Sequence, residues 1–216
     1  MNDVREIPKS PGYDTYSQPY IERYEVPPHE AAKSERMRAL VGNRKFERCL
    51  DIGCGIGFMT RYFAHCGQIY GVDKDQGKIN YIQKIIPTGH FAMLDLEKDF
   101  LFDAIRRLFG PDQFDLIILT DVLSYLTVET RKVVAKGIDQ LLDAKGLLLV
   151  SDHAVKIPER LARRTMLEEA GLWLLLEEVF TNNTYWVFQI FSRWPPSTAV
   201  NENPDGSAIS KENLQK

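Results

Sequence analysis

Apolar and polar positions alternate in blocks along the middle of the chain, and the block lengths give the elements. Five short runs, Arg48–Ile52, Gln68–Asp73, His90–Leu94, Phe114–Leu119 and Gly146–Val150, are dense in Ile, Leu, Val and aromatic residues. Runs this short and this uniformly apolar predict strands buried on both faces. Between them the spacing changes to helical. Asp75–Ile86 places Ile79, Ile82, Ile85 and Ile86 on one face and meets Pro87, where a helix must stop. Leu96–Phe109 carries an apolar stripe that ends at Gly110, and Thr127–Leu142 shows a stripe of Val133, Val134, Ile138, Leu141 and Leu142. Ala31–Val41 reads as a helix ahead of the first strand, Phe58–Cys66 as a short helix after it, and Asp152–Gly171 has room for one more. Leu172–Phe180 and Thr184–Phe191 are apolar runs joined by Thr181-Asn182-Asn183, a hairpin signal.

Strands alternating with helices demand a parallel sheet with right-handed crossovers and helices on both faces. The predicted fold is therefore α/β, a Rossmann-like doubly wound sheet, mostly parallel, closed by a C-terminal antiparallel hairpin. The ends differ in composition. Residues 1–12 hold Pro8 and Pro11 without periodicity, and residues 195–216 open on Pro195-Pro196 and continue with small and polar residues. Both ends are expected to be unstructured. One domain is expected over residues 13–194, with 13–41 as a helical or lid segment. Tyr13, Tyr16, Tyr20 and Tyr24 are four of the nine tyrosines. They are open to two readings, a lid over bound ligands or plain packing against the sheet.

Composition narrows the function classes. The 216 residues, 44% hydrophobic and 26% charged, suit one globular domain. A net charge of -3 gives no basic footprint for a nucleic-acid partner. No run approaches the ~18 apolar residues that cross a bilayer, and Met1–Glu6 lacks the apolar core of a secretory signal. No membrane association is expected, and a cytoplasmic location follows as the default. Cys49, Cys54 and Cys66 have no zinc-site spacing, so no metal centre is expected.

In an open α/β sheet, ligands bind beyond the carboxyl ends of the strands. After the first strand comes Asp51-Ile52-Gly53-Cys54-Gly55-Ile56-Gly57. Alternate glycines let the backbone turn tightly and approach a ligand. Asp73 follows the second strand and suits a pair of ribose hydroxyls. Asp95 with Leu96 follows the third and suits an exocyclic amine and the face of a base. Thr120-Asp121-Val122-Leu123-Ser124-Tyr125 follows the fourth strand, and Ser151-Asp152-His153 the fifth. A dinucleotide loop would want a small residue where Phe58 stands, and Asp51 would repel a pyrophosphate but attract the ammonium of a methionine moiety. Asp121 and Asp95 also have plainer readings as caps of the next turn or helix. Asp115 reads as structural, and Arg160, Arg163 and Arg164 as either an acid-binding face or a solvated one.

The ordered set CLDIGCGIG, IYGVD, MLDLE, FDLIILTDVLSYL and GLLLVSDH resembles the class I S-adenosylmethionine-dependent methyltransferases over about residues 30–194. It looks nearest to the small nodulation-factor-type N-methyltransferases. Asp143-Ala144-Lys145-Gly146 departs from the Pro-Gly-Gly turn frequent in that family. The resemblance implies S-adenosyl-L-methionine as cofactor, held by Asp51, Gly53, Cys54, Gly55, Gly57, Asp73, Lys74, Asp95, Leu96, Thr120 and Asp121. It implies transfer of a methyl group to a nitrogen or oxygen of a small-molecule acceptor. His153, an imidazole after a core strand, and Tyr125 are candidate catalytic residues by residue type and position. Two other readings stay open at this point: a protein or RNA methyltransferase, and a noncatalytic cofactor-binding partner protein. The oligomeric state is not legible.

Overall fold

A computed structural model describes residues 28–195, apart from residue 112, residues 154–156 and residues 182–184. The expectations for residues 1–27, including the tyrosine cluster, and for the tail beyond residue 195 lie outside the described residues. In chain order the elements are α1 (Pro28–Leu40), β1 (Arg48–Ile52), β2 (Gln68–Asp73), α2 (Gln76–Ile85), β3 (His90–Met93), α3 (Leu101–Phe109) and β4 (Phe114–Thr120). Then come α4 (Val128–Leu141), β5 (Leu142–His153), α5 (Ile157–Glu169), β6 (Trp173–Thr181) and β7 (Tyr185–Ser192).

The strands form one seven-stranded sheet in the order β3-β2-β1-β4-β5-β7-β6. The first five neighbours pair in parallel, whereas β7 is antiparallel to both β5 and β6. This is the predicted doubly wound sheet with its terminal hairpin. The order reverses between β1 and β4, so a crevice opens at the carboxyl ends of those two strands.

Both faces of the sheet are buried because β4 alternates into two cores. Ile117 and Leu119 join Leu50, Ile52, Leu101, Ile105, Ile138 and Leu148 beneath α3, α4 and α5. Leu116 and Ile118 join Cys49, Phe63, Leu149, Trp186 and Phe188 on the opposite side, where α1 contributes Met37 and Val41 follows it. Phe114 and the run Leu116, Ile117, Ile118 and Leu119 are therefore buried, and Asp115 between them keeps some exposure. That carboxylate accepts hydrogen bonds from the backbone N–H groups of Glu47 and Arg48, at 2.6 and 2.9 Å, and fixes the entry to β1. The structural reading of Asp115 holds.

Two predicted helices are shorter in the structure. Phe58–Cys66 forms only a single 3-10 turn, Thr60–Phe63. The chain turns back to the sheet early there: Gly67 and Gln68 donate to the carbonyls of Phe46 and Glu47, and the Thr60 hydroxyl is spent on Asp51. The helix expected from Leu96 starts at Leu101. Asp95 takes the N–H of Glu97 with its side chain and those of Lys98 and Asp99 with its carbonyl, and this local closure competes with helix. Asp95 is thus not the cap of α3, whose N-cap is Phe100 without a side-chain hydrogen bond.

β5 begins earlier than the apolar run alone suggests. Phe114 faces Leu142 and Leu116 faces Leu147, so Asp143–Gly146 is taken up as an irregularity in the ladder. Lys145 N–H closes onto the Asp143 side chain.

Candidate functional site

The crevice is built from the residues that follow β1, β2, β3 and β4. Gly53, Gly55 and Gly57 all have positive φ, at 78°, 54° and 85°. Gly53 and Cys54 both donate to the Val72 carbonyl, at 2.7 and 3.0 Å, which ties the loop to β2. A Cβ on Gly53 would meet the Val122 side chain at 2.3 Å, whereas a Cβ on Gly55 would meet nothing within 4 Å. Gly53 is required by packing inside the protein. Gly55 faces open space at the mouth of the crevice, as a backbone that a ligand approaches should.

Asp73 closes the loop from the other side. One carboxylate oxygen accepts the Gly55 N–H at 3.0 Å and the other the Asp75 N–H at 2.9 Å, with Lys78 Nζ at 3.9 Å. Asp75 in turn caps α2, accepting from Gly77 and Lys78. Asp51 lies fully buried under the loop. It accepts from the Thr60 hydroxyl at 2.5 Å, and its second oxygen has no partner. Burial raises its carboxyl to about 7; the nearby Asp73 charge adds to the rise, and the Thr60 hydrogen bond and the Lys33 charge oppose it. Cys54 is buried beside the loop, and its thiol is pushed up by burial.

Asp95 sits at the next strand end, held below its ordinary value by the Lys98 ammonium at 2.8 Å. Leu96 packs against the larger core, and Lys74 is exposed. Thr120 closes β4, and Asp121 follows with φ 55°, among the described residues the one non-glycine with positive φ. Such a backbone costs about 1–2 kcal/mol for an ordinary side chain, so the surroundings must hold it. They do: Lys33 on α1, only 4% exposed, places Nζ 2.5 Å from Asp121 and 2.6 Å from Glu30, above the Trp186 ring. Burial lowers the Lys33 ammonium, but Asp121 and Glu30 together more than reverse this and leave it raised. Asp121 therefore does not serve as a simple cap. One of its oxygens remains buried without a partner.

At the end of β5, Asp152 is buried and ion-paired with Arg163 of α5. Burial raises its carboxyl in spite of Arg163; the Asp121 charge adds to the rise, and a Ser124 hydrogen bond opposes it. Its second oxygen lacks a partner. Tyr125 ends a 3-10 turn, Leu123–Tyr125, and is 73% exposed. The backbone of His153 ends β5, but its side chain lies outside what is described. The three arginines of α5 are not a free basic face. Arg163 pairs with Asp152, Arg160 with Glu177 at 3.7 Å, and Arg164 with Glu168 at 2.9 Å.

The structure thus brings Asp51, Gly53, Cys54, Gly55, Gly57, Asp73, Asp95, Leu96 and Asp121 to one edge of the sheet. Lys33, Glu30 and Thr60 were missed by sequence reasoning, which named Ser124 and Arg163 but not their shared partner Asp152. Nothing in the spacing of Lys33 places it opposite Asp121.

Residues 50–148 match the family model described as a methyltransferase domain. No curated protein matches. Among solved structures, the chain is similar to a TehB-like SAM-dependent methyltransferase from Corynebacterium glutamicum, with 21% identity, TM-score 0.57, and 77% of this chain and 98% of that chain covered. It is similar to the N-methyltransferase NodS from Bradyrhizobium japonicum in complex with S-adenosyl-L-homocysteine, with 17% identity, TM-score 0.61, and 86% and 92% covered. It is also similar to the [4+2]-cyclase SpnF, with 14% identity, TM-score 0.58, and 76% and 81% covered. At these identities the structural likenesses show the fold.

Proposed function

We propose that this chain, whose residues 50–148 match a methyltransferase-domain model, is a class I S-adenosylmethionine-dependent methyltransferase and that it methylates a nitrogen or oxygen of a small-molecule acceptor. The observation that carries the reading is the ring of carboxylates at consecutive sheet positions. Asp73 and Asp51 lie in the last two positions of β2 and β1, and Asp95 and Asp121 follow β3 and β4, neighbours in the sheet, around a glycine loop whose Gly55 faces open space. The protein's own groups fit S-adenosylmethionine. The partnerless oxygen of buried Asp51 suits the ammonium of its amino-acid end, Asp73 the ribose hydroxyls, and Asp95 with Leu96 the adenine. Lys74, Thr120 and Cys54 complete the proposed contacts.

The cofactor supplies an already activated methyl group on a sulfonium. What the residues must do is hold the acceptor atom in line with it and keep water out. Positioning of this kind supplies roughly 7–11 kcal/mol at best. Asp121 and Asp152 each keep one oxygen without a donor at the ends of β4 and β5, and each can accept from an N–H or an O–H of the acceptor. An amine needs only to arrive unprotonated, and a hydroxyl needs a base, for which His153 and Tyr125 are the candidates. The cyclase among the structural neighbours supports a second reading, in which this fold serves a reaction or binding role other than methyl transfer.

Thermal-shift titration with S-adenosylmethionine, S-adenosylhomocysteine and NAD tests the donor side. Stabilisation by the first two, lost in Asp73→Ala, is expected, and stabilisation by NAD alone would overturn the reading. Labelled methyl transfer to a panel of amines and hydroxyl compounds then tests the acceptor side; no turnover on either class favours the second reading.

A further inference from the structure

The proposed methyl-transfer end adjoins a cleft that the cofactor residues do not line. It lies between the start of α4 and the middle of α5 and encloses about 310 Å³, within the range of small-molecule sites, roughly 300–1,000 Å³. Val128, Ala162 and Met166 make its apolar surface, and Val128 is 55% exposed. Arg131 and Lys132 line it from α4, and Arg163 from α5.

The cations of this cleft are not equivalent. Arg163 is committed to Asp152 at the end of β5, which places one wall of the cleft directly against the end of the sheet where the acceptor must react. Arg131 has no ion pair among the described residues, which sets it apart from Arg163; the Nε atoms of both are buried without a hydrogen-bond partner. The Arg131 charge therefore lines the cleft without a counter-charge of its own, and an anion in the cleft would supply one. Lys132 adds a second charge one residue on, also without an ion pair among the described residues. Against these two stands one lining carboxylate, Glu169, which is exposed on the far wall. A planar guanidinium beside an ammonium, above apolar side chains, is matched by an anionic group on an apolar stem.

We infer that the α4–α5 cleft binds the non-reacting arm of the acceptor, and that this arm is apolar and ends in a carboxylate or phosphate held by Arg131 and Lys132. The inference rests on the methyltransferase reading of the neighbouring site. It also gives that reading a substrate class: an acceptor whose reacting nitrogen or oxygen lies toward Asp121 and Asp152, and whose anion lies toward α4.

Calorimetric titration of S-adenosylhomocysteine-loaded protein with benzoate, phenyl phosphate and neutral benzamide tests it. At least one anion should bind about tenfold or more tightly than benzamide, and the better of the two tells carboxylate from phosphate. The double substitution Arg131→Met, Lys132→Met should remove that preference, with S-adenosylhomocysteine affinity on the same samples reporting an intact fold. Glu169→Gln, at an exposed position, should strengthen binding of the preferred anion roughly two- to fivefold. Equal binding of benzamide, a preference that survives the double substitution, or no gain in Glu169→Gln would overturn the inference. No binding of either anion by protein that does hold S-adenosylhomocysteine overturns it while leaving the methyltransferase reading intact. Protein that fails to bind S-adenosylhomocysteine at all overturns both.

Discussion

Two glycines in one loop face different consequences. Ala at Gly53 must find room for a methyl group 2.3 Å from Val122 while holding φ 78°. Gly53→Ala is expected to destabilise the protein by on the order of 2–4 kcal/mol, measured by urea unfolding. Gly55→Ala meets no atom within 4 Å, so only the backbone term of about 1–2 kcal/mol remains. In the proposed site, however, its methyl group stands where the ligand approaches the backbone, and S-adenosylmethionine affinity should fall about tenfold or more. Equal binding by Gly55→Ala and the parent chain would remove Gly55 from the site. The spacing of the glycines was legible in the sequence. Which glycine serves packing and which serves the ligand was not, because Val122 lies far along the chain and meets Gly53 only when β4 pairs with β1.

Asp51 carries the pH prediction at the same scale. A free aspartate titrates near 3.8, and burial raises this one to about 7. Below about 7 the empty site therefore holds a neutral acid. A cationic amino group beside it favours the carboxylate, so binding expels a proton, and S-adenosylmethionine affinity should rise with pH up to about 7 and then level off. In Asp51→Asn the rise should be absent. Calorimetric titrations between about pH 5.5 and about 8 in buffers of different ionisation heat check both points.

At the scale of elements, α1 is tied to the site by one side chain. Its Lys33 ammonium is buried between Glu30 and Asp121 and lies over Trp186 of β7. Replacing Lys33 by Met leaves Asp121 without its counter-charge on a backbone that is already strained. Breaking such a pair costs roughly 3–5 kcal/mol. Adding Asp121→Asn should recover part of that loss, and a double-mutant cycle by chemical denaturation gives the coupling. Additive losses would show that the pair does not hold α1. Ala31–Val41 was legible as a helix ahead of the first strand, but its docking was not, since one lysine among 27 basic residues carries no mark of its partner. The α3 boundary was missed for a related reason. Asp95 and Glu97 look like a helix start, yet Asp95 closes its own turn, and Glu97 accepts hydrogen bonds from Thr127 and Thr130 at the head of α4. Propensity cannot see which of two local hydrogen-bond patterns a distant element will reward.

For the whole molecule, the proposed donor site draws on residues at the ends of four strands of one sheet, so ligand binding and global stability should be linked. Saturation at about 100 times the dissociation constant should add about 2.7 kcal/mol, and each kcal/mol raises Tm by about 2–4 °C for a domain of this size. S-adenosylhomocysteine should shift a single cooperative transition. A shift confined to one of two separate transitions would mean that the sheet is not one unit. The ligand-free protein should also lose stability as pH rises from about 4 to about 7. Its Asp51 binds a proton more tightly when folded than when unfolded, so the folded state is favoured at the acid end of that window, and the advantage is spent once pH passes about 7. Asp51→Asn should flatten that part of the profile in urea unfolding.

The sequence by itself determined the order of strands and helices, the parallel sheet, the terminal hairpin and the glycine loop with its following acids. These follow from periodicity and from turn chemistry, which are local. The tertiary structure alone decided the partners: Lys33 on Asp121, Thr60 on Asp51, Asp73 on the Gly55 N–H, and the arginines of α5 on Asp152, Glu177 and Glu168. It also left Arg131, at the wall of the α4–α5 cleft, without an ion pair among the described residues. The physical reason is that a charge is placed by what the folded chain brings within hydrogen-bonding reach, and that distance is set by packing between elements, not by spacing along the chain.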